Sequence, residues 1–366
     1  MKRITSRPIR VGLVGCGNVS RRYLEHVAEF DELDVVACAD AMPANAAAVG
    51  QEFGIPALGV DELIGDVTID LVLNLTIPRS HAEVTMRALR AGKHVYTEKP
   101  LAADLSDARA IMALADELGL FVGCAPDTFM GAGITASRAL IDEGAIGEPV
   151  SANAFMMTPG PEQFHPGPDF LYREGAGPLF DGGPYYVSAL VSLLGPVARV
   201  GAVSTTGRTD RTVLVGDRAG ERFPVETSTH VAGVLQFVHG AVGSLITSFD
   251  VIETSAPRLE VHGTEGSIIA PAPNSWGGPA WVRRAGEQEF MEVPIAADGA
   301  GFMGMGLVDM ARGLQLGREP RASGARGLHV LEVLTGIDRS ASCGGQFYDM
   351  TRVDDDVVAL FGRNAR

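Results

Sequence analysis

The sequence predicts two successive α/β parts, a doubly wound domain on a parallel sheet and then a domain in which an antiparallel or mixed sheet packs on helices. Three observations predict this. Apolar runs and amphipathic stretches alternate up to residue 125, as in a strand and helix succession. The run Leu71-Val72-Leu73-Asn74-Leu75 is almost wholly apolar, which suits a strand covered on both faces. Beyond Gly147-Glu148-Pro149 the character changes to strand-like segments separated by turn signals. The 366 residues also exceed the ~250 to 300 at which a single core divides. The expected domains are 1–125 and 126–366.

In order, residues 9–14 read as a buried strand, Gly15-Cys16-Gly17 as the tight turn after it, and residues 23–30 as part of the following helix. Residues 35–39 form a second strand ending in Asp40. A helix begins at residues 78–81, a strand covers 94–97, and Leu105, Ala108, Ile111, Met112, Ala115 and Leu118 mark a helix at 3.6-residue spacing. Residues 121–124 return as a strand and complete a Rossmann-type unit. A helix over 134–143 is closed by Gly144. Strands are expected over 151–157, 199–205, 228–238 and 242–251, with His239-Gly240 as a hairpin tip. Helices are expected over 185–194, 305–317 and 328–340, and loops over 271–278 and 298–306.

Strand, glycine turn and helix in that order make a phosphate cradle. Gly15 and Gly17 let the backbone approach a pyrophosphate, and the helix opening at Asn18 and Val19 offers unpaired N–H groups and the positive end of its dipole. The third glycine position of the usual fingerprint is Ser20. Support comes from Asp40, 23 positions after Gly17, close to the ~20 expected for a ribose-binding carboxylate. Asp40 would repel a 2′-phosphate, and Ala41, Met42 and Pro43 supply no arginine to receive one. NAD is therefore expected ahead of NADP. Lys99, in Glu98-Lys99-Pro100, ends a strand of the same sheet, where an ammonium can hydrogen-bond a reacting hydroxyl and stabilise a developing alkoxide.

Net charge is −15, from 45 acids and 30 bases, which disfavours nucleic acid or an anionic membrane as partner. No segment approaches the ~20 consecutive apolar residues of a membrane helix. Cys16, Cys38, Cys124 and Cys343 lack disulfide or metal spacing, and no metal site is expected. Residues 1–7 are short and basic without a signal-peptide apolar region, so the expected location is cytoplasmic.

The chain resembles the glucose-fructose oxidoreductase, inositol dehydrogenase and MocA (Gfo/Idh/MocA) family. The resemblance rests on Gly15-Cys16-Gly17, on Thr76-Ile77-Pro78 with His81, and on Ala91-Gly92-Lys93-His94-Val95 running into Glu98-Lys99-Pro100. Gly144-Ala145-Ile146-Gly147-Glu148-Pro149 and Gly175-Ala176-Gly177-Pro178-Leu179-Phe180-Asp181 extend it over essentially the whole chain. It implies a Rossmann-type N-terminal domain and an α+β C-terminal domain on an open-faced, mostly antiparallel sheet. It also implies hydride transfer between NAD and a secondary alcohol or hemiacetal carbon of a sugar or polyol.

The resemblance further implies that Thr76, Pro78, His81, Glu98 and Lys99 meet the cofactor. Glu98 would lie by the nicotinamide ribose, and Pro100 would set the exit of Lys99 through a cis bond. The family's Asp-x-x-x-His appears here as Asp181-Gly182-Gly183-Pro184-Tyr185. Lys99, Asp181 and Tyr185 are then the expected proton-handling group, since an ammonium nearby favours a phenolate; Tyr186 is an alternative neighbour. Asp127, Thr128 and His165 are expected to read substrate hydroxyls, with His165 as rival base. A homodimer or homotetramer is expected. The competing functions are an NAD-binding regulator without turnover and an NAD-dependent glycoside-cleaving enzyme.

Overall fold

The computed structural model describes residues 7–295 and 301–351. The basic start of the chain up to Ser6, on which the leader reading rests, lies outside the described residues, as do 298–300 of the expected loop. Among the described residues the chain divides into two units, one of residues 7–130 and 301–331, the other of 131–295 and 332–351. The boundary expected at 125/126 is thus corrected. The chain comes back, and residues 301–331 complete the first unit. The reason is visible in the helix Met305–Leu316, whose Leu307, Val308, Met310, Ala311 and Leu314 are buried.

The first unit contains β1 (Ile9–Val14), α1 (Asn18–Val27), β2 (Leu33–Ala39), α2 (Pro43–Phe53), β3 (Ala57–Leu58) and α3 (Val60–Gly65). It continues with β4 (Leu71–Asn74), α4 (Pro78–Arg90), β5 (His94–Thr97), α5 (Leu105–Leu118) and β6 (Val122–Cys124). The six strands are parallel in the order β3-β2-β1-β4-β5-β6. The order reverses between β1 and β4, which opens a crevice at the carboxyl ends of these strands. The helices follow from burial periodicity. In α1 the buried residues Ser20, Tyr23, Leu24 and Val27 recur at helical spacing. In α5, Asp104 caps the first turn through the Asp107 N–H at 2.9 Å and Gly119 closes the last at φ 64°. Val14, Val72, Val95 and Val122 of the sheet pack with Leu89, Ile111 and Ala115 in one core.

The second unit holds α6 (Ala132–Asp142), β7 (Pro149–Met157), α7 (Gly177–Asp181), α8 (Gly183–Leu194), β8 (Val197–Thr205), β9 (Asp210–Thr212), β10 (Arg222–Pro224), β11 (His230–Phe237) and β12 (Val242–Ser248). After these come β13 (Leu259–Gly263), β14 (Gly266–Ala270), β15 (Ala280–Arg284), β16 (Met291–Val293) and β17 (Tyr348–Asp349). Among the described residues nine strands form one sheet in the order β16-β15-β14-β13-β7-β12-β11-β8-β17. Only the β7 and β12 pair is parallel. Residues alternate between buried and less buried along β7 and β11, so one face of the sheet carries the core. The hairpin tip at His239-Gly240 joins β11 to β12, with Gly240 at φ 97°.

Candidate active site

Four strand ends of the first unit carry the nucleotide-site candidates. After β1, a Cβ at Gly15 would stand 2.5 Å from the Leu75 carbonyl carbon at φ 104°, so both backbone conformation and close packing demand glycine. Gly17 differs. Its φ is −80°, and a Cβ there would meet nothing within 4 Å. It opens α1 without a side-chain cap, and Asn18 and Val19 beside it are exposed. Clear space above free helix N–H groups fits a pyrophosphate. Ser20, in the third fingerprint position, is buried and donates to the Gly17 carbonyl at 2.6 Å, bracing the turn.

After β2, Asp40 accepts the Cys16 N–H at 2.8 Å on Oδ2, and the Met42 N–H at 2.8 Å on Oδ1. Its carboxylate is held in place against the glycine turn, and each oxygen keeps acceptor capacity for a ribose hydroxyl. After β4, the buried Asn74 makes four bonds. Its amide donates to the His81 carbonyl at 3.1 Å and to Thr85 Oγ1 at 3.2 Å, and its Oδ1 receives the Thr76 N–H and hydroxyl. Pro78 is exposed in the first turn of α4. His81, expected at the cofactor, acts as a bracket within the protein. Its ring is fully buried, with Nδ1 2.6 Å from the Pro100 carbonyl and Nε2 2.9 Å from the Thr76 carbonyl. It ties the turn after β4 to the turn after β5.

After β5, Glu98 accepts the Tyr23 hydroxyl on Oε1 and the Lys99 N–H on Oε2, both at 2.9 Å. Lys99 is half-buried, and its bond to Pro100 is cis, as is Ala125–Pro126. Asp127 and Thr128, expected to read hydroxyls, are both buried. Asp127 is 2% exposed, and its Oδ2 accepts the N–H groups of Gly304 and Gly306 at 3.2 and 2.9 Å, capping the helix Met305–Leu316. Thr128 is fully buried, and its Oγ1 has no hydrogen-bond partner among the described residues.

In the second unit Asp181 ends α7 and Tyr185 lies in the first turn of α8, each half-buried. Their corner is set by two glycines. A Cβ at Gly182 would stand 2.3 Å from the Met156 side chain, and one at Gly183 2.7 Å from that of Leu334. Tyr186, the alternative neighbour, is 2% exposed, and burial pushes its phenol up to about 12. His165 is half-buried, and its Nδ1 accepts the Gly167 N–H at 3.0 Å. In the neutral ring the proton therefore sits on Nε2, a donor suited to reading a hydroxyl oxygen. Behind it Arg211, 5% exposed, binds Glu162 at 2.7 Å and the carbonyls of Pro159 and Phe249 at 3.3 and 3.0 Å, with Asp250 also paired to it. Tyr172 joins by its bond to Glu162. This buried network pins the segment that carries His165, and truncating one partner would leave an unpaired charge at a cost of ~3 to 5 kcal/mol.

Two family models match this chain. One, the oxidoreductase family with an NAD-binding Rossmann fold, covers residues 9–125; the other, the Gfo/Idh/MocA C-terminal domain, covers 134–269. The chain belongs to the Gfo/Idh/MocA oxidoreductase family. It is 32% identical to a 1,5-anhydro-D-fructose reductase from Ensifer adhaerens over 71% of this chain and 75% of that protein. A levoglucosan dehydrogenase solved with NADH and levoglucosan aligns with TM-score 0.80 and 24% identity, covering 95% of this chain and all of that one. An aldose-aldose oxidoreductase from Caulobacter crescentus aligns with TM-score 0.78 and 24% identity, covering 94% and 100%. These two likenesses show the shared fold. The family and the cradle together make this chain an NAD-binding oxidoreductase.

Proposed function

We propose that this enzyme transfers a hydride between NAD and a secondary alcohol or hemiacetal carbon of a sugar or polyol. The observation that carries the reading is the row of strand ends. Asp40, the Gly15–Val19 turn, Thr76 and Lys99 follow β2, β1, β4 and β5, which are neighbours in the parallel sheet. One edge of the first unit thus offers a ribose acceptor, a pyrophosphate cradle and an ammonium in sequence. NAD when bound supplies the hydride acceptor. Lys99 donates to the substrate hydroxyl and stabilises its alkoxide, Asp181 and Tyr185 move the proton, and His165 donates from Nε2 to a neighbouring hydroxyl. The relatives' sugar substrates support the substrate class.

Asp40 supports NAD over NADP, because a carboxylate held by two backbone N–H groups would face a 2′-phosphate. The cytoplasm, with its pool of free nicotinamide cofactor, is the compartment this reading assigns. A homodimer or homotetramer pairing through the second unit's sheet is supported by Val203, Val234 and Val242, exposed on the neighbouring strands β8, β11 and β12. The test of function is a panel of aldoses, polyols and inositols with NAD, read by absorbance of the reduced cofactor. Net NADH release on a free sugar is expected. Binding of NAD without turnover of any member, or sugar cleavage without net NADH, would overturn the assignment.

A further inference from the structure

We propose that Tyr23 is a positioning residue for the nicotinamide end of the cofactor, acting through Glu98. Tyr23 is on the buried face of α1, the helix that opens at the glycine turn, and is 1% exposed. Its hydroxyl donates to Glu98 Oε1 at 2.9 Å across 75 positions of sequence, while Glu98 Oε2 takes the backbone N–H of Lys99 at the same distance. A glutamate side chain has three rotatable bonds, and one hydrogen bond leaves much of that freedom in place. Two bonds, one to each oxygen, leave the carboxylate a single orientation. The phosphate-binding helix is thereby linked to the Glu98-Lys99-Pro100 turn by one side chain.

The hydroxyl is the donor throughout the working pH range. Burial, with the Glu98 carboxylate beside it, pushes the phenol well above its ordinary value near 10. The ring needs no such bond to pack, because a Cβ at Gly304 would already lie 3.2 Å from its edge. Phenylalanine would fill the same space. The hydroxyl's assignment therefore falls on Glu98, and the inference rests on the NAD site proposed above, whose strand edge Glu98 shares with Lys99.

NADH titration calorimetry on Tyr23→Phe, Glu98→Ala and the double variant tests this without any substrate, so a failure to find a sugar leaves it decidable. Tyr23→Phe is expected to raise the NADH Kd about ten-fold, the scale of one hydrogen bond to a charged group. In the Glu98→Ala background the same change is expected to shift Kd less than two-fold, since the partner is gone. Equal losses in both backgrounds would overturn the proposal in favour of a packing role. Should Glu98→Ala not fold, Tyr23→Phe alone decides. A thermal midpoint that falls while NADH affinity holds overturns the proposal, and lost affinity at an unchanged midpoint supports it.

Discussion

The strand-end turns of the first unit and the α7–α8 corner of the second differ in what sets the backbone under their polar groups. In the first unit each group is fixed by bonds to backbone at the ends of adjacent strands. Cys16 and Met42 hold Asp40, Lys99 holds Glu98, and the carbonyls of Thr76 and Pro100 hold His81. In the second unit the backbone that carries Asp181 and Tyr185 turns at a corner where Gly182 packs closely on Met156 and Gly183 on Leu334, residues distant in sequence. A side chain bracketed by backbone bonds is pre-set before any ligand arrives, which lowers the cost of binding. A corner set by close packing of distant residues depends on its whole domain. Truncations in the first unit should therefore separate binding from chemistry, and those at the α7–α8 corner should fall on chemistry alone.

The largest effect is expected from Lys99→Ala, with kcat/KM lowered by ~10² to 10³, the scale for losing one preorganised charge-stabilising donor. NAD affinity by calorimetry should change little, because the cradle and Asp40 are intact. Turnover preserved in this variant would move the catalytic ammonium elsewhere. Next comes Tyr185→Phe, expected to remove most activity, ~10²-fold, with NAD still bound. In the parent enzyme kcat/KM for alcohol oxidation should rise into the alkaline range, where a phenol ordinarily loses its proton. A variant that keeps that rise assigns the proton transfer to another group.

The contrast also explains what could be read from the sequence. The glycine turn, Asp40 and the Glu98-Lys99-Pro100 motif are local strings, and their strands came out at 9–14, 33–39 and 94–97 close to expectation. Tyr23, Asn74 and the bracketing role of His81 escaped, because each depends on contacts between strand ends remote in sequence. Asn74 had a visible signal, an amide closing an otherwise apolar strand. The bonds of Asp127 escaped for the same reason: Gly304 and Gly306 are 177 and 179 positions away. The strands β13 to β16 were not foreseen; their half-exposed faces carry mixed residues such as Glu260, His262 and Arg283, and the alternation is too short to stand out.

Acid should separate the two units. Burial holds His94 down at about 4, with its Nδ1 accepting the Phe121 N–H at 2.9 Å, and holds the buried His329 down at about 4 as well. Both belong to the first unit. Their folded values lie below the unfolded value of 6.5, so the unfolded chain takes up protons first. Stability is then full above pH 6.5 and declines toward pH 4, by up to roughly 3 kcal/mol per ring. Hydrogen exchange at pH 7 and pH 4.5 should show the first unit loosening before the second. Exchange that accelerates first in the second unit would contradict it.

A smaller shift is expected from Asp40→Ala. The NAD Kd should rise about ten-fold as the ribose acceptor is lost, and the preference over NADP should narrow because the repulsion goes with it. Titration of both cofactors checks this. Tighter binding of NADP by the parent enzyme would remove the role given to Asp40.

The smallest effect is expected from His165→Asn, and it discriminates most finely between the two regions. With Nδ1 engaged by the Gly167 N–H, the neutral ring offers Nε2 as a donor and has no lone pair there to take a substrate proton. A residue that only donates to a hydroxyl binds ground state and transition state nearly alike, so its loss raises KM several-fold and leaves kcat and the shape of the pH profile unchanged. A base would behave otherwise. If His165→Asn abolishes a pH limb while Tyr185→Phe preserves it, the ring must turn over to the other tautomer during turnover, with the Gly167 bond broken. Proton transfer would then pass from the packed α7–α8 corner to the segment pinned by Arg211.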